Sequence, residues 1–434
     1  MPGITITKLA GFVTSLSALD SHSAKIVFEN ALAKGQEQEQ TETGLLSAID
    51  AMQKAILSPG PDLDSIAVVQ MDEFATAPNS LPRDQAQHLP DLYDWVRGVI
   101  MPANAKAVYG PNHMFRERPE LYNEFWELDE KALYVAMKLP LFMARKAYKA
   151  QENLLSASEK YFAQGHQCKA SAWVTRRFEI ARSFGMSDQM IARLEWGNFF
   201  AIFILAMPAT FYFIAEVFSR PDVLEDLRSE ILNSVSFTKG TDEQSPTCTV
   251  SLHKLKTDCR LFFSAYREIL RLFTNASTTR VVLSDMVLAN QYLLRKGSIP
   301  QIIGRTIHAD ERIWGYDANE FNPRRFMEAR SGTFTSMQDN EKTSPKKVHP
   351  AAFRSHGGGT VLCSGRHFAQ TELLSLTAGL ILGYNISRSC GGLITVPQRN
   401  EKTLSISMPK PTKDIDVLVT RREGWENVYF KYSL

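Results

Sequence analysis

Residues 197–215, GNFFAIFILAMPATFYFIA, carry no charged side chain over nineteen positions and lie between Glu195 and Glu216. A helix that is apolar on every side must either cross a membrane or run through the middle of a large core. Pro208 and Thr210 inside the stretch, and the lack of a basic flank at either end, favour the buried helix. We therefore predict a large core around this segment, with a bend at Pro208.

The bulk composition fits such a core. The 434 residues are 44% hydrophobic and 22% charged, with a formal net charge of +2, so no attraction to nucleic acid is expected. The five cysteines include no CxxC pair, which argues against a disulfide framework and a zinc ribbon. The amino terminus lacks a basic segment followed by a long apolar one, so neither a signal peptide nor a transmembrane anchor is predicted.

Apolar residues recur at three- and four-residue spacing through much of the chain, which predicts a mainly α fold. The pattern changes at residues 280–303 and 393–422, where β-branched clusters predict short strands and a minor β-sheet. Loops are expected at residues 237–249 and 331–347. Since no repeat or change in composition divides the sequence, we expect a single domain over residues 1–434. The predicted helices include residues 44–57, 93–109, 122–139 and 141–162.

A glycine-rich loop with one cysteine, FRSHGGGTVLCSG, precedes a helical pattern at residues 353–365. By itself the loop fits three interpretations: a metal-binding loop with the Cys363 thiolate as ligand, an oxyanion loop of the HGGG type, or a helix-capping turn. An esterase with an HGGG loop also needs a GxSxG nucleophile motif, and the sequence contains none.

Two further motifs precede the cysteine loop. Glu268 and Arg271 are three residues apart in YREILRLF, a spacing that places them on one face of a helix as an ion pair. Arg325 lies in EFNPRRF, between that helix and the loop of Cys363. The ordered set is far more specific than any of its parts.

This order of motifs resembles the cytochrome P450 family of haem-thiolate monooxygenases. EILR fits the ExxR motif of that family, FNPRRF its PERF-like motif, and GGGTVLCSGRHFA its cysteine loop. The similarity runs from about residue 194 to the end of the chain, and more loosely from about residue 91. The resemblance implies the cytochrome P450 fold, haem b (iron protoporphyrin IX) as cofactor, and Cys363 as the axial ligand of the haem iron.

The resemblance also implies roles for other residues. Glu268, Arg271 and Arg325 would form a buried structural triad on the side of the haem that Cys363 occupies, and Arg280 would pair with a haem propionate. Glycines allow backbone N–H groups to approach the sulfur, and the helix that follows directs its positive end toward the thiolate. The residues expected to bind the cofactor are Cys363, Arg280, His356, Gly359 and Gly365.

Within the family, AMPATFYFIAEVFSRPDVL resembles the distal helix of the cholesterol 7α-hydroxylase and prostacyclin synthase branch and its fungal relatives in secondary metabolism. This similarity implies that one oxygen atom from O2 is inserted into a bulky lipophilic substrate, terpenoid or sterol-like. Leu205 stands where that branch carries an asparagine, so the Thr210 hydroxyl is the nearby candidate for proton delivery. The alternatives are a haem-thiolate isomerase or dehydratase that needs no reductase, and an inactive, truncated member.

The family further implies an NADPH-cytochrome P450 reductase as electron donor and contact with the endoplasmic reticulum membrane. The sequence departs from the family at its amino end, where the anchor, the first sheet strands and a WxxxR motif are missing. We therefore expect an N-terminally short member. In the cysteine loop, Val361 stands where many members carry a basic residue that binds a propionate, and Ser364 replaces a proline.

Overall fold

The computed structural model describes most of the chain as two compact units. The described residues are 17–32, 44–204, 206–240, 245–327, 334–336, 346–359, 362–401 and 408–434. The first unit is built from residues 1–66, 104–202 and 279–302, and the second from residues 67–103, 203–278 and 303–434. The single domain expected over the whole chain stays a prediction.

The first unit is helical, as the periodicity predicts. The helix predicted over residues 122–139 is wrong in one respect, because it is divided in two at Lys131. The strands predicted between residues 280 and 303 are confirmed by an antiparallel hairpin, Met286–Leu288 with Tyr292–Leu294. The described helices of this unit are Ser21–Leu32, Leu45–Ile56, Met114–Glu117, Leu121–Glu130, Ala132–Ala136, Arg145–Ala163, Ala172–Ser183 and Asp188–Leu194, with 3₁₀ helices at Leu141–Met143 and His166–Lys169.

A polar network is buried in the first unit around the Glu195 carboxylate. Oε1 of Glu195 accepts hydrogen bonds from the Tyr109 hydroxyl at 2.9 Å and from Asn198 at 2.6 Å. Oε2 accepts from Nε of Arg177 at 2.9 Å. The Tyr109 ring stacks on Phe199 with 4.2 Å between centroids, so the start of the apolar stretch packs into an aromatic core.

The second unit combines helices with small sheets. The order of its first described sheet is Gln87–Leu89, Val417–Arg421, Tyr384–Arg388, with antiparallel neighbours. Strands Phe334–Ser336 and Lys346–Val348 form an antiparallel pair. The described helices that lie wholly in this unit are Ala206–Phe218, Pro221–Leu232, Leu252–Thr257, Arg260–Phe273, Gly304–His308, Glu311–Trp314 and Arg366–Gly383, with a 3₁₀ helix at Pro350–Ala352. The elements that begin in one unit and end in the other are helices Pro61–Ser80, Leu92–Tyr109 and Trp196–Phe203 and strands Ser277–Thr279 and Gln301–Ile303.

The loop predicted over residues 237–249 is wrong at both ends. Val235–Thr238 and Thr247–Ser251 pair antiparallel as two arms of a hairpin. Thr247–Ser251 also pairs in parallel with Tyr429–Ser433 at the carboxyl end of the chain. A partner so distant in sequence leaves no trace in a local pattern.

The apolar stretch at residues 197–215 is interrupted. One helix ends at Phe203 and the next begins at Ala206, and Leu205 between them lies outside the described residues, so the bend expected at Pro208 stays a prediction. Pro208 is the third residue of the second helix, where its missing N–H would have had no partner within that helix. Every residue of Ala206–Phe218 is buried, which confirms the expected burial of this part.

The Arg260–Phe273 helix carries the ExxR motif, and its start is fixed by a residue from another helix. Both carboxylate oxygens of Glu230 accept hydrogen bonds from the backbone N–H groups of Leu261 and Phe262, at 2.8 Å each. These contacts satisfy two of the donors that a helix leaves open at its first turn and place a negative charge at the positive end of the dipole.

The Arg366–Gly383 helix follows the cysteine loop and is buried along its last thirteen residues. Its carboxyl end approaches the strand at Tyr429–Ser433 closely. A methyl group at Gly383 would lie 2.6 Å from the ring of Phe430, so only glycine permits this packing distance.

Candidate functional site

Three side chains from the sequence motifs meet around one carboxylate in the second unit. Arg271 donates from Nε and Nη2 to the two oxygens of Glu268, at 2.8 Å each. Arg325 donates from Nε to the same two oxygens, at 3.0 and 3.1 Å. Glu268 and Arg271 are fully buried and Arg325 is 5% exposed. The structure thus brings all three together in the interior.

A second carboxylate, which the sequence reasoning missed, balances the charges. Asp317 lies 2.8 Å from Nη2 of Arg325 and accepts from its Nη1 at 2.9 Å. Burial by itself lowers the pKa of Arg325, but Glu268 and Asp317 outweigh it and raise that pKa overall. Two buried arginines require two negative charges, and this requirement was the available signal. We refer to Glu268, Arg271, Asp317 and Arg325 as the ion cluster.

The remaining donors of the ion cluster reach backbone carbonyls. Nη1 of Arg271 donates to the carbonyls of His308 at 2.6 Å and Ala318 at 2.7 Å. Nη1 of Arg325 donates to the Trp314 carbonyl at 2.8 Å. The cluster therefore ties the segment that contains His308, Trp314 and Ala318 to the Arg260–Phe273 helix.

The cysteine loop is built on left-handed glycines. Gly357 and Gly359 have φ values of +77° and +68°, a region that other residues enter at a cost. The N–H of Cys363 donates to the His356 carbonyl at 2.9 Å and so closes the loop on itself. Thr360 and Val361, including the departure noted at Val361, lie outside the described residues.

The Cys363 sulfur sits among donors and positive charge. Burial raises the pKa of the thiol, while hydrogen bonds from the backbone N–H groups of Gly365 and Arg366 and the charge of Arg366 lower it in part. The Arg366 guanidinium also donates to the Cys363 carbonyl at 3.0 Å. Backbone N–H groups and positive charge near a sulfur are the surroundings that favour a thiolate ligand of a metal.

The described residues contain no group of three or more His, Cys, Asp or Glu side chains that would hold a metal ion. A loop whose single sulfur would be one of several protein ligands, as in a zinc site, therefore has no support among them. One thiolate suits an iron whose other ligands come from a porphyrin. The residues around Cys363 fit a haem group in this respect.

His308, also missed by the sequence reasoning, joins the ion cluster to the cysteine loop. Its carbonyl accepts from Arg271, and its Nε2 accepts from the backbone N–H of Arg354 at 2.8 Å. Burial, with the charge of Arg271, lowers the pKa of His308 to about 3. The ring is therefore neutral, with its proton on Nδ1, and Nε2 remains an acceptor.

The other predicted site residues have different surroundings. The fully buried hydroxyl of Thr210 donates to the Ala206 carbonyl at 3.0 Å, and Leu205 lies outside the described residues. Burial lowers the pKa of His356 to about 4, so that ring is neutral as well. Arg280 belongs to the first unit, where its Nη1 donates to the Thr279 carbonyl at 3.1 Å.

Comparison with known proteins agrees with this arrangement. A family profile described as cytochrome P450 matches residues 186–415, more than half of the sequence. The chain belongs to the cytochrome P450 family. It is thus a P450 monooxygenase by class, with haem b as the cofactor of that family.

The relatives include fungal and mammalian enzymes. Cytochrome P450 monooxygenase nodJ of Hypoxylon pulicicidum is 29% identical over 379 residues, which cover 87% of this chain and 71% of that protein. A cytochrome P450 monooxygenase of Gibberella zeae is 29% identical over 81% of this chain, which spans only 66% of that relative's length. The 25-hydroxycholesterol 7-alpha-hydroxylase of Rattus norvegicus is 25% identical over 67% of each chain.

Among solved structures, the retinoic acid-bound cyanobacterial CYP120A1 matches with a TM-score of 0.66 and 18% identity, over 86% of this chain and 78% of that one. This likeness confirms the predicted fold. In the described part, Asp188–Phe218 is the one stretch with the length and apolar composition to cross a membrane, and 88% of its most apolar portion is buried within the protein.

Proposed function

We propose that Cys363 provides the thiolate for the haem iron and that the enzyme inserts one oxygen atom from O2 into a bulky lipophilic substrate. The observation that carries the proposal is the place of Cys363, which lies directly before the Arg366–Gly383 helix in a loop that its own N–H closes on the His356 carbonyl. A thiolate-bound haem supplies the electron donation that favours cleavage of the O–O bond.

The protein's own residues would hold the ligand in place. The ion cluster fixes the Arg260–Phe273 helix, and His308 passes that constraint to the backbone of Arg354, at the start of the cysteine loop. Such a buried, fully paired cluster stabilises one arrangement of its surroundings rather than adding much net stability. We assign Glu268, Arg271 and Arg325 this structural role.

A sterol-like or terpenoid substrate is supported by the relatives. One is named a 25-hydroxycholesterol 7-alpha-hydroxylase and another a cholesterol 7-alpha-monooxygenase, whereas the fungal relatives carry no substrate in their names. We also propose an NADPH-dependent flavoprotein reductase as electron donor and a position at the endoplasmic reticulum membrane, as suggested by the mammalian relatives.

The carbon monoxide difference spectrum of the reduced, hemin-loaded chain tests the ligand. We expect a Soret band at about 450 nm, the sign of thiolate ligation. Cys363→Ala should abolish the band, whereas Cys390→Ala, at an exposed cysteine, should leave it unchanged. A band that survives in Cys363→Ala would refute the assignment.

One observation favours a second candidate, an isomerase or dehydratase that rearranges an oxygenated substrate without a reductase. The proton of the Thr210 hydroxyl is engaged with the Ala206 carbonyl, so this residue offers no free donor in the observed arrangement. Oxidation of NADPH in step with product formation would support the monooxygenase. Product formation without NADPH and reductase would support the alternative.

A further inference from the structure

The guanidinium of Arg354 has no acceptor among the described residues. Its Nε is buried and without a hydrogen-bond partner. The hydrogen bonds that Arg354 does make involve its backbone alone, since its N–H donates to His308 and its carbonyl accepts from Gly357. The side chain as a whole is partly exposed, so the unmet requirement is that of Nε, a donor that is removed from water and needs an acceptor.

The guanidinium of Arg354 packs against the backbone of Gly358 in the cysteine loop. A methyl group at Gly358 would lie 2.8 Å from Nη1 and 3.0 Å from Cζ of Arg354. The missing side chain of Gly358 therefore creates the space in which the guanidinium lies. Gly358 is five residues before Cys363, so the free donors of Arg354 belong to the same loop as the proposed iron ligand.

The surroundings of this site are positive. Arg271, Arg305 and Arg354 all act electrostatically on His308, and each lowers its pKa. Arg271 is paired with Glu268. Arg305 donates from Nη2 to Asn319 at 3.3 Å and is acted on by the charge of Glu401, but its Nη1 is, like Nε of Arg354, buried without a hydrogen-bond partner in the described part of the chain. The region is thus suited to an anion.

We propose that Arg354 binds a propionate carboxylate of haem, the role that a basic residue at position 361 would have if Val361 did not occupy it. This inference rests on the proposed function. A guanidinium matches a carboxylate with two parallel N–H donors, the most favourable geometry for such a pair. Haem b carries two propionates, and the cysteine loop that contains the proposed iron ligand also provides this cation.

The test compares hemin with hemin dimethyl ester, in which both propionates are uncharged. Each is loaded into the full-length chain, and its release to excess apomyoglobin is followed by absorbance. We expect Arg354→Met to release hemin about tenfold faster than the wild type, the factor for one charge-assisted hydrogen bond, and to leave ester release unchanged. We define the preference for hemin as the release rate of the ester divided by that of hemin, and this ratio should therefore fall about tenfold.

Two further variants separate charge from structure. Arg354→Lys keeps the charge, so it should retain part of the preference for hemin. Gly358→Ala keeps the arginine but displaces its guanidinium, so it should reduce the preference as Arg354→Met does. Arg312→Met is the matched control, because that arginine is exposed and paired with Asp310, and it should change neither rate.

Three outcomes would overturn the inference. Equal acceleration of hemin and ester release by Arg354→Met would assign the residue a purely structural role. Unchanged hemin release would mean that the guanidinium faces solvent. Poor folding of Arg354→Met would leave the decision to Arg354→Lys and Gly358→Ala, and an unchanged preference in both would refute the proposal. A wild type with normal thiolate spectra separates these results from failure of the proposed function, in which no band at about 450 nm would form at all.

Discussion

The ion cluster and the cysteine loop differ in whether their charged and donor groups find partners within the protein. In the ion cluster, two arginines face two carboxylates, and the remaining donors reach carbonyls. In the loop, the Cys363 sulfur receives backbone donors, and Arg354 has no acceptor among the described residues. The cluster is complete within the protein, whereas the loop presents groups suited to a bound partner. His308 joins the two regions through its carbonyl and its ring.

The largest effect on stability is expected when the Glu268 carboxylate, which both arginines of the ion cluster contact, is removed. Glu268→Ala leaves two buried arginines with one carboxylate, and we expect a loss of about 4 kcal/mol in the free energy of unfolding. Urea unfolding followed by circular dichroism measures this change. The control is Glu225→Ala, at an exposed residue 3.8 Å from Arg228, with an expected change below about 0.5 kcal/mol. Equal stability of the two variants would contradict the conclusion that the two buried arginines depend on the charge of Glu268.

The link through His308 should make stability depend on pH. Its pKa is about 3 in the folded chain, against a reference value of 6.5. Because the unfolded chain takes up the proton first, the stability from the neutral ring is present above pH 6.5 and is lost as pH falls toward 3. We expect a loss of about 2 kcal/mol in the free energy of unfolding at pH 5.

His308→Gln keeps an acceptor near the Nε2 position but does not titrate. The difference in unfolding free energy between pH 7 and pH 5 should therefore shrink by about 2 kcal/mol in this variant. His253→Gln, at an exposed residue, should leave the pH dependence as it is in the wild type. A His308→Gln variant with the slope of the wild type would show that this ring does not join the two regions.

The smallest effect is expected in the loop backbone. Gly359 has a φ of +68° and open space where a side chain would begin, so Gly359→Ala should destabilise the chain by about 1 kcal/mol through backbone strain alone. The same substitution at Gly98, an exposed position inside the Leu92–Tyr109 helix, should instead stabilise by up to about 1 kcal/mol. Thermal unfolding of both variants checks this prediction. Stabilisation by both substitutions would mean that the loop does not require its left-handed glycine.

Much of the fold and part of the site could be read from the sequence because the signals are local. Glu268 and Arg271 are three residues apart on one helix, and the glycines of the cysteine loop stand directly before a helix. The strand Thr247–Ser251 was missed. It pairs in parallel with Tyr429–Ser433, which lies about 180 residues later, near the carboxyl end of the chain, so the pairing leaves no local signal. The end of the first apolar helix at Phe203 was not predicted, because the apolar residues continue without a break on both sides of it.

The sequence by itself determined the family, the identity of three members of the ion cluster and the loop that carries Cys363, because these depend on spacing along the chain. Only the tertiary structure decided that Asp317 supplies the second negative charge, that His308 connects cluster and loop, and that Arg354 lies on Gly358 without an acceptor among the described residues. The physical reason is that the charge balance of a buried group depends on everything that surrounds it in space, and most of those neighbours are distant in sequence.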